Sequence, residues 1–443
     1  MSEEKENGFN RRDFIAAVGV AGTGVLLASC GKTYPTATFL DAAPDGAPLK
    51  AGVVGCGGRG SGAAQDFLKA GPNLKIAALA DVFEDRLADC RKKLAGKNQQ
   101  IPDDRCFVGF DAFKRLIDTD VDIVILATPP HFRPQHFEAA VEAKKHIFME
   151  KPVAVDPVGI RSILASVEKA KSYNLCVGTG TQRRHQREYI ETYNRVANGA
   201  IGRITAARAY WNQSQLWFKP PQSNPADMAD MIRDWVNWTW LSGDHIVEQH
   251  VHNLDVIHWF SGDFPVKAVA MGARMRRVTG DQYDFFAVDY TFKNGLHMES
   301  MCRQIDGCIG NVSETVVGTE GYAEMKNGEN TIYDKDGKVV WQFLEPSKEA
   351  GKEPGKKSAM SPYVQEHIDL VTAVRNNKPY CEAENTARST LAAIMGRISA
   401  YTGQEVTLDQ VMDSKMRLGP TDYKMGPVDI KAEIPVPGTP KNV

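Results

Sequence analysis

Gly55-Cys56-Gly57-Gly58-Arg59-Gly60 follows directly on the short apolar run Leu49–Val54, and no other feature constrains this chain as tightly. After the glycines, Ala63, Ala64, Phe67 and Leu68 share one helical face. A second apolar run, Leu74–Ala80, then ends in Asp81. Strand, glycine turn, helix, strand and acid, in that order, are the context a bound dinucleotide needs. Gly55 permits the tight turn, Gly57 lets backbone amides reach a pyrophosphate, and Gly60 allows close helix–strand packing. Gly58 and Arg59 complete the turn, and Arg59 is placed to stack on adenine or meet a phosphate. Asp81 stands 21 residues after Gly60. A carboxylate there accepts the adenosine ribose hydroxyls and repels a 2′-phosphate, so NAD is expected and NADP disfavoured.

The alternation continues. Val121–Ala127 reads as a buried strand and is followed by Thr128-Pro129-Pro130-His131. A helix from Pro134 to Lys144 and a strand from His146 to Met149 lead into Glu150-Lys151-Pro152. Strands and helices alternating at this length specify a parallel, doubly wound sheet. At 443 residues the chain exceeds what one core serves, so two domains are expected. A net charge of -2 without a basic run argues against a nucleic-acid partner. Apart from Cys30, the cysteines (Cys56, Cys90, Cys106, Cys176, Cys302, Cys308 and Cys381) are odd in number, widely spaced and free of CxxC. They form neither a disulfide framework nor a zinc pattern.

Together with GCGGRG, the stretches ATPPHF (127–132), HFEAAVEAKKHIFMEKP (136–152), GAIGRI (199–204) and GTEG (318–321) resemble the Gfo/Idh/MocA family of oxidoreductases. The resemblance covers nearly all of the chain beyond its first 48 residues. It implies an α/β protein: a Rossmann domain, then a C-terminal α/β domain whose open, mostly antiparallel sheet faces a sugar. The expected divisions are 49–170 and 171–425, with a linker at 31–48 and an extended tail at 426–443. The open sheet implies a homo-oligomer, a dimer or tetramer. By the same resemblance Thr128, Pro129, His131 and Glu150 join the cofactor contacts. Lys151 then points into the site beside the nicotinamide, where an ammonium can bond a substrate hydroxyl and stabilise a developing alkoxide.

A second constellation is EQHVHNLDVIHW, residues 248–259. Glu248, His252, Asp255 and Trp259 recur at i, i+4, i+7 and i+11, so on one continuous helix they share a face. His252 is the expected general base, Asp255 its orienting partner, and Glu248 a further carboxylate. Family members commonly carry Asp at that last position; Glu248 moves the carboxylate outward by one methylene. His250 and His252 with Glu248 also suit a metal, but nothing else in the chain supplies a matching ligand cluster, and no metal is expected. His245 and His258 are expected in the core. For a sugar, Arg184 is the preferred contact, joined by His185, Trp211 and Trp217, since aromatic faces stack on the C–H face of a pyranose.

The N-terminus poses a separate question. Asn10-Arg11-Arg12-Asp13-Phe14-Ile15 is a twin-arginine pattern, followed by a modest apolar run to Ser29. The run is too short and too diluted by glycine to span a bilayer, so residues 1–30 read as a signal for export of the folded protein. Leu27-Ala28-Ser29-Cys30 resembles a lipobox, with Cys30 as the lipidated residue of a periplasmic or envelope lipoprotein. An exported enzyme cannot draw on the cytoplasmic NAD pool. Its cofactor must therefore stay bound and return to its starting oxidation state in every cycle. The expected activity is NAD-dependent oxidation of a hydroxyl on a sugar or glycoside, with internal recycling. A redox-neutral glycoside hydrolase working by oxidation, elimination, hydration and reduction is the alternative, and an inactive sugar-binding lipoprotein is third.

Overall fold

The computed structural model describes residues 39–223, 226–326, 328–344 and 361–439. The twin-arginine segment and Cys30 lie outside the described residues. No described helix is long and apolar enough to cross a membrane.

Six parallel strands build the first sheet: β1 (Leu49–Val54), β2 (Leu74–Asp81), β3 (Cys106–Val108), β4 (Ile123–Leu126), β5 (His146–Met149) and β6 (Val177–Thr179). Their spatial order is β3-β2-β1-β4-β5-β6. Helices Gly58–Lys69, Glu84–Ala95, Ala112–Ile117, Arg133–Glu142 and Pro157–Ser172 pack around it. Every residue of β4 is buried, as expected of a strand covered on both faces. The winding direction changes between β1 and β4, and in such sheets the crevice beyond the carboxyl ends of those strands takes the ligand.

The second sheet holds β7 (Ile204–Gln213), β8 (Pro265–Ala273), β9 (Phe285–Phe292), β10 (His297–Gln304), β11 (Asn311–Gly318), β12 (Gly321–Lys326), β13 (Glu329–Asp334), β14 (Val339–Gln342) and β15 (Val406–Thr407). It runs β14-β13-β12-β11-β7-β10-β9-β8-β15, antiparallel except where β7 meets β10. Along β10 the alternation is clean: Met298, Ser300 and Cys302 face the core while His297, Glu299 and Met301 face outward. Helices Val251–Ser261 and Ala383–Thr402 cover the inner face, and the second of these also packs on Pro157–Ser172 of the first layer.

The divisions differ from the expected ones in three places. The first sheet runs past residue 170 to Thr179, and helix Pro362–Arg375, from late in the chain, packs against helix Gly58–Lys69 and β6. The described end of the linker is docked rather than free: Ala43 is buried and its N–H donates to the Ala70 carbonyl at 2.7 Å. Residues 426–439 have no regular structure but are tied down, with the Tyr283 hydroxyl donating to the Pro435 carbonyl at 2.9 Å and the Gly438 N–H to Thr402 at 3.0 Å.

Burial has an electrostatic consequence. It pushes His131, His136, His250 and His258 down to about 3, so the fold holds them neutral. An unfolded chain protonates each near pH 6.5 and therefore binds more protons than the fold does below that pH. Stability should fall from about pH 6.5 downward, by up to about 1.4 kcal/mol per pH unit for each such residue. His185 opposes this: burial lowers it, but Glu382 and Asp369 outweigh burial and hold it well above 6.5. Its contribution is complete below pH 6.5 and lost as pH rises through its folded value. With several histidines against one, calorimetry should show a melting temperature that drops steeply between pH 6.5 and 5; a flat profile there contradicts the assignment.

Candidate active site

The glycine turn is built where two loops cross. Gly55 has φ +93, and a Cβ on it would lie 2.6 Å from the Thr128 amide nitrogen. A Cβ on Gly60 would lie 1.7 Å from the Gly55 carbonyl oxygen, so only glycine lets the helix start this close to β1. Gly58 has nothing within 4 Å of its Cβ position, because it faces a cavity of about 430 Å³. Gly55, Gly57, Gly58, Arg59, Asp81, Thr128 and Pro129 all line that cavity. Asp81 is pinned: its carboxylate accepts from the Cys56 N–H at 2.6 Å and the Phe83 N–H at 2.8 Å. Burial raises its pKa, and these amides work against that. The open glycine edge and the fixed acid fit a dinucleotide.

Arg133 escapes a motif search, yet it holds the loop after β4. It is fully buried and donates to the Leu126 and Thr128 carbonyls, each at 2.8 Å. Gly109 and Phe110, after β3, line the cavity as well; their place beyond a strand's carboxyl end was the only available signal. His131 does not line it. Its Nε2 is 2.7 Å from the Tyr423 hydroxyl, and its ring meets Trp240 edge-on. Arg59 bonds the carboxylate of Glu150, so these two expected cofactor contacts hold each other.

The second constellation departs from the single helix expected. A short helix, His245–Glu248, stops, and a new one begins at Val251. A continuous helix would bond the Glu248 carbonyl to the His252 N–H; here that N–H turns to Gln249 at 3.3 Å. The freed Glu248 carbonyl accepts from Lys151 Nζ at 2.5 Å, and the Glu248 carboxylate takes the same ammonium at 3.0 Å. Both side chains are nearly buried, 11% and 8% exposed. His252 stacks on Trp211, with ring centroids 5.6 Å apart. Neither of its ring nitrogens bonds another described residue. Burial, then the charges of Lys151 and Arg183, push it well below 6.5, so it is a neutral imidazole at neutral pH.

Asp255 does not orient His252. It forms a bidentate pair with Arg184, at 2.7 and 2.9 Å, and accepts from Ser389 at 2.8 Å. The arginine expected to hold sugar is thereby committed to a buried ion pair. His185 is likewise bound, between Asp369 and Glu382. Trp217 lines the cavity at the glycine turn, edge-on to Trp235 at 6.4 Å. His250 bonds Ser300 at 2.7 Å, which turns it away from His252. Among the described residues no three His, Cys, Asp or Glu side chains form a group fit for a metal.

Two family profiles match: "Oxidoreductase family, NAD-binding Rossmann fold" over residues 49–179, and "GFO/IDH/MocA C-terminal domain" over residues 189–324. Together they span more than half of the chain. This protein belongs to the GFO/IDH/MocA oxidoreductase family. Its first domain is therefore an NAD-binding Rossmann domain, and the cavity lies at that domain's glycine turn. Among similar proteins, glycosyl hydrolase family 109 protein 1 of Bacteroides fragilis is 32% identical over 285 residues, 62% of this chain and 58% of that protein. Myo-inositol 2-dehydrogenase of Thermotoga maritima is 25% identical over 51% of this chain and 58% of its own. The match thus covers under two thirds of either relative. Among solved structures, levoglucosan dehydrogenase in complex with NADH and levoglucosan aligns with a TM-score of 0.66, at 18% identity, over 82% of this chain and 100% of that one. The aldose–aldose oxidoreductase of Caulobacter crescentus gives 0.63 at 18% identity, over 82% of this chain and 100% of that one. At such identities the likeness is one of fold.

Two glycines separate packing from binding. Gly60→Ala forces backbone apart and should lower stability by about 2 kcal/mol or more, with loss of bound NAD. Gly58→Ala meets no protein atom and should lower NAD content while leaving the melting temperature of nucleotide-free protein unchanged. Calorimetry with nucleotide released on denaturation reads both; a destabilised Gly58→Ala protein contradicts the open edge.

Proposed function

We propose that this family member oxidises a hydroxyl of a sugar or glycoside, with its NAD kept bound and recycled within each cycle. The reading rests on His252, a buried neutral imidazole with both nitrogens free of described partners, lying within the field of the Lys151 ammonium. When bound, the nicotinamide supplies the acceptor for the hydrogen that leaves the carbinol carbon. Neutral His252 takes the hydroxyl proton. Lys151 has three N–H donors, of which Glu248 engages two; the third is left for the substrate oxygen, where it stabilises developing negative charge. Trp211 backs the imidazole by stacking on it. The inositol dehydrogenase among the similar proteins supports a polyhydroxylated ring as substrate.

Export by the twin-arginine route, to the periplasm or envelope, belongs to the same proposal. It is supported by Asn10–Ile15, with lipidation at Cys30 supported by the residues before it. The outward face of the second sheet carries exposed Val269, Met271 and Met301, which supports self-association there. A redox-neutral glycoside hydrolase is the second reading. What favours it is the family 109 relative, whose 32% identity exceeds the 25% of the inositol dehydrogenase.

Lys151→Ala and His252→Ala should each lower turnover by about 10²–10⁴-fold while NAD stays bound. Lys151→Ala also strands the buried Glu248 carboxylate, so its melting temperature should drop as well; His252→Ala breaks no hydrogen bond and should not share that drop. Near-normal activity in either variant overturns the assignment. The two readings separate on products. An oxidoreductase needs a carbonyl acceptor and shows ping-pong kinetics with a sugar. A hydrolase releases aglycone without any acceptor, with solvent deuterium entering beside the oxidised carbon.

A further inference from the structure

The cavity at the glycine turn has a second wall that the Rossmann domain does not supply. Trp217, Lys219, Ile232 and Trp235 come from the stretch between β7 and helix Val251–Ser261, outside both sheets, and with the glycine turn they line the cavity. This wall is fastened to the first domain. Arg233 reaches Asp85, at the start of helix Glu84–Ala95, through two bonds of 3.0 and 2.8 Å. Its guanidinium also lies 3.9 Å from the centroid of the Phe83 ring. Phe83 and Asp85 stand two and four residues after Asp81, the acid at the end of β2. Beneath the ion pair, Phe83, Met228, Met231, Ile232 and Trp240 form a buried apolar cluster. The C-terminal stretch straps the cluster from outside: the Met228 N–H donates to Gly426 at 3.0 Å, and the Leu418 N–H to the Asp156 carboxylate at 2.8 Å.

We propose that Trp217, Lys219, Ile232 and Trp235 are the outer half of the NAD site, closed over the adenosine end and latched by Arg233 on Asp85 and Phe83, so that NAD(H) leaves only when this latch opens. The inference rests on the reading of a retained cofactor and names the contacts that retain it. The pair is partly exposed, Asp85 at 62% and Arg233 at 34%, so its hold is modest by itself and relies on the stacked Phe83 and the cluster below. Loosening the latch should therefore raise the release rate without removing the cradle that binds the pyrophosphate. Differences of this kind fall mainly in dissociation rates.

The test loads full-length protein with NADH, mixes it with excess NAD as a trap, and follows loss of bound-NADH fluorescence. Arg233→Ala and Asp85→Ala should each release NADH about tenfold faster than wild type, equivalent to about 1.4 kcal/mol. The double exchange Asp85→Arg with Arg233→Asp should return the rate toward wild type. Calorimetry on the nucleotide-free proteins checks that the single variants are folded, and the double exchange carries the test if one is not. Slow wild-type release matched by both single variants overturns the latch and leaves retention standing. Wild-type release as fast as that of the variants overturns latch and retention together.

Discussion

The contact on which the site depends is the one between the Lys151 ammonium and Glu248. It joins the end of β5, in the first sheet's domain, to the segment that precedes helix Val251–Ser261, under the second sheet. Two buried charges are stable only if they find each other, and stranding one costs about 3–5 kcal/mol. The relative placement of the domains is therefore tied to the placement of the catalytic candidate. The interruption at Gln249–His250 belongs to the same constraint. A regular helix consumes its own carbonyls, and one had to be released for Lys151. The helix break is thus part of the site.

The frame was legible because it rests on short-range rules. Glycine positions, apolar strands of four to eight residues and an acid at the end of β2 are enough to place the crevice, and the cavity lies there, bounded by Gly55, Asp81 and Thr128. Lys151 and His252 were singled out through residues adjacent to them in the chain, and the structure buries both. What could not be read is pairing across long separations. Arg184 and Asp255 are 71 residues apart, and nothing local distinguishes an arginine that holds substrate from one that neutralises a buried carboxylate. Trp217 failed for the same reason. Its indole has no sequence neighbour that says which domain it will cover. The periodic argument for Glu248, His252 and Asp255 assumed unbroken helix, and tertiary demand for a carbonyl overrode it. Even so, Asp255 and Trp259, one turn apart, do share a face, and both meet Arg184.

Charge is distributed so that only part of the candidate site carries it. Arg183 is bonded to Glu314 within the core, and Asn253 and Tyr189 complete the carboxylate's shell. Its guanidinium lies 5.4 Å from the Trp211 ring, on whose face His252 also stacks. Burial and two nearby cations therefore act on the imidazole in the same direction. On the proposed chemistry this has a definite sense. A base that must accept a proton while hydride departs is useless if it is already protonated, and an imidazolium beside Lys151 would also be repelled. Depressing His252 keeps the base empty down to acid pH, at the expense of its strength. The weakness is tolerable if the proton does not have to be removed far in advance. Lys151 beside the oxygen lowers the proton affinity of the hydroxyl as the carbonyl forms, so the two groups act on one proton from opposite sides. The hydrolytic reading uses the same pair for its first step and then makes a second demand on the base. There a carbon acid must be deprotonated after the oxidation, a harder proton for a weakened imidazole. Both readings begin with oxidation of a hydroxyl, and the electrostatics around His252 serve that shared first step.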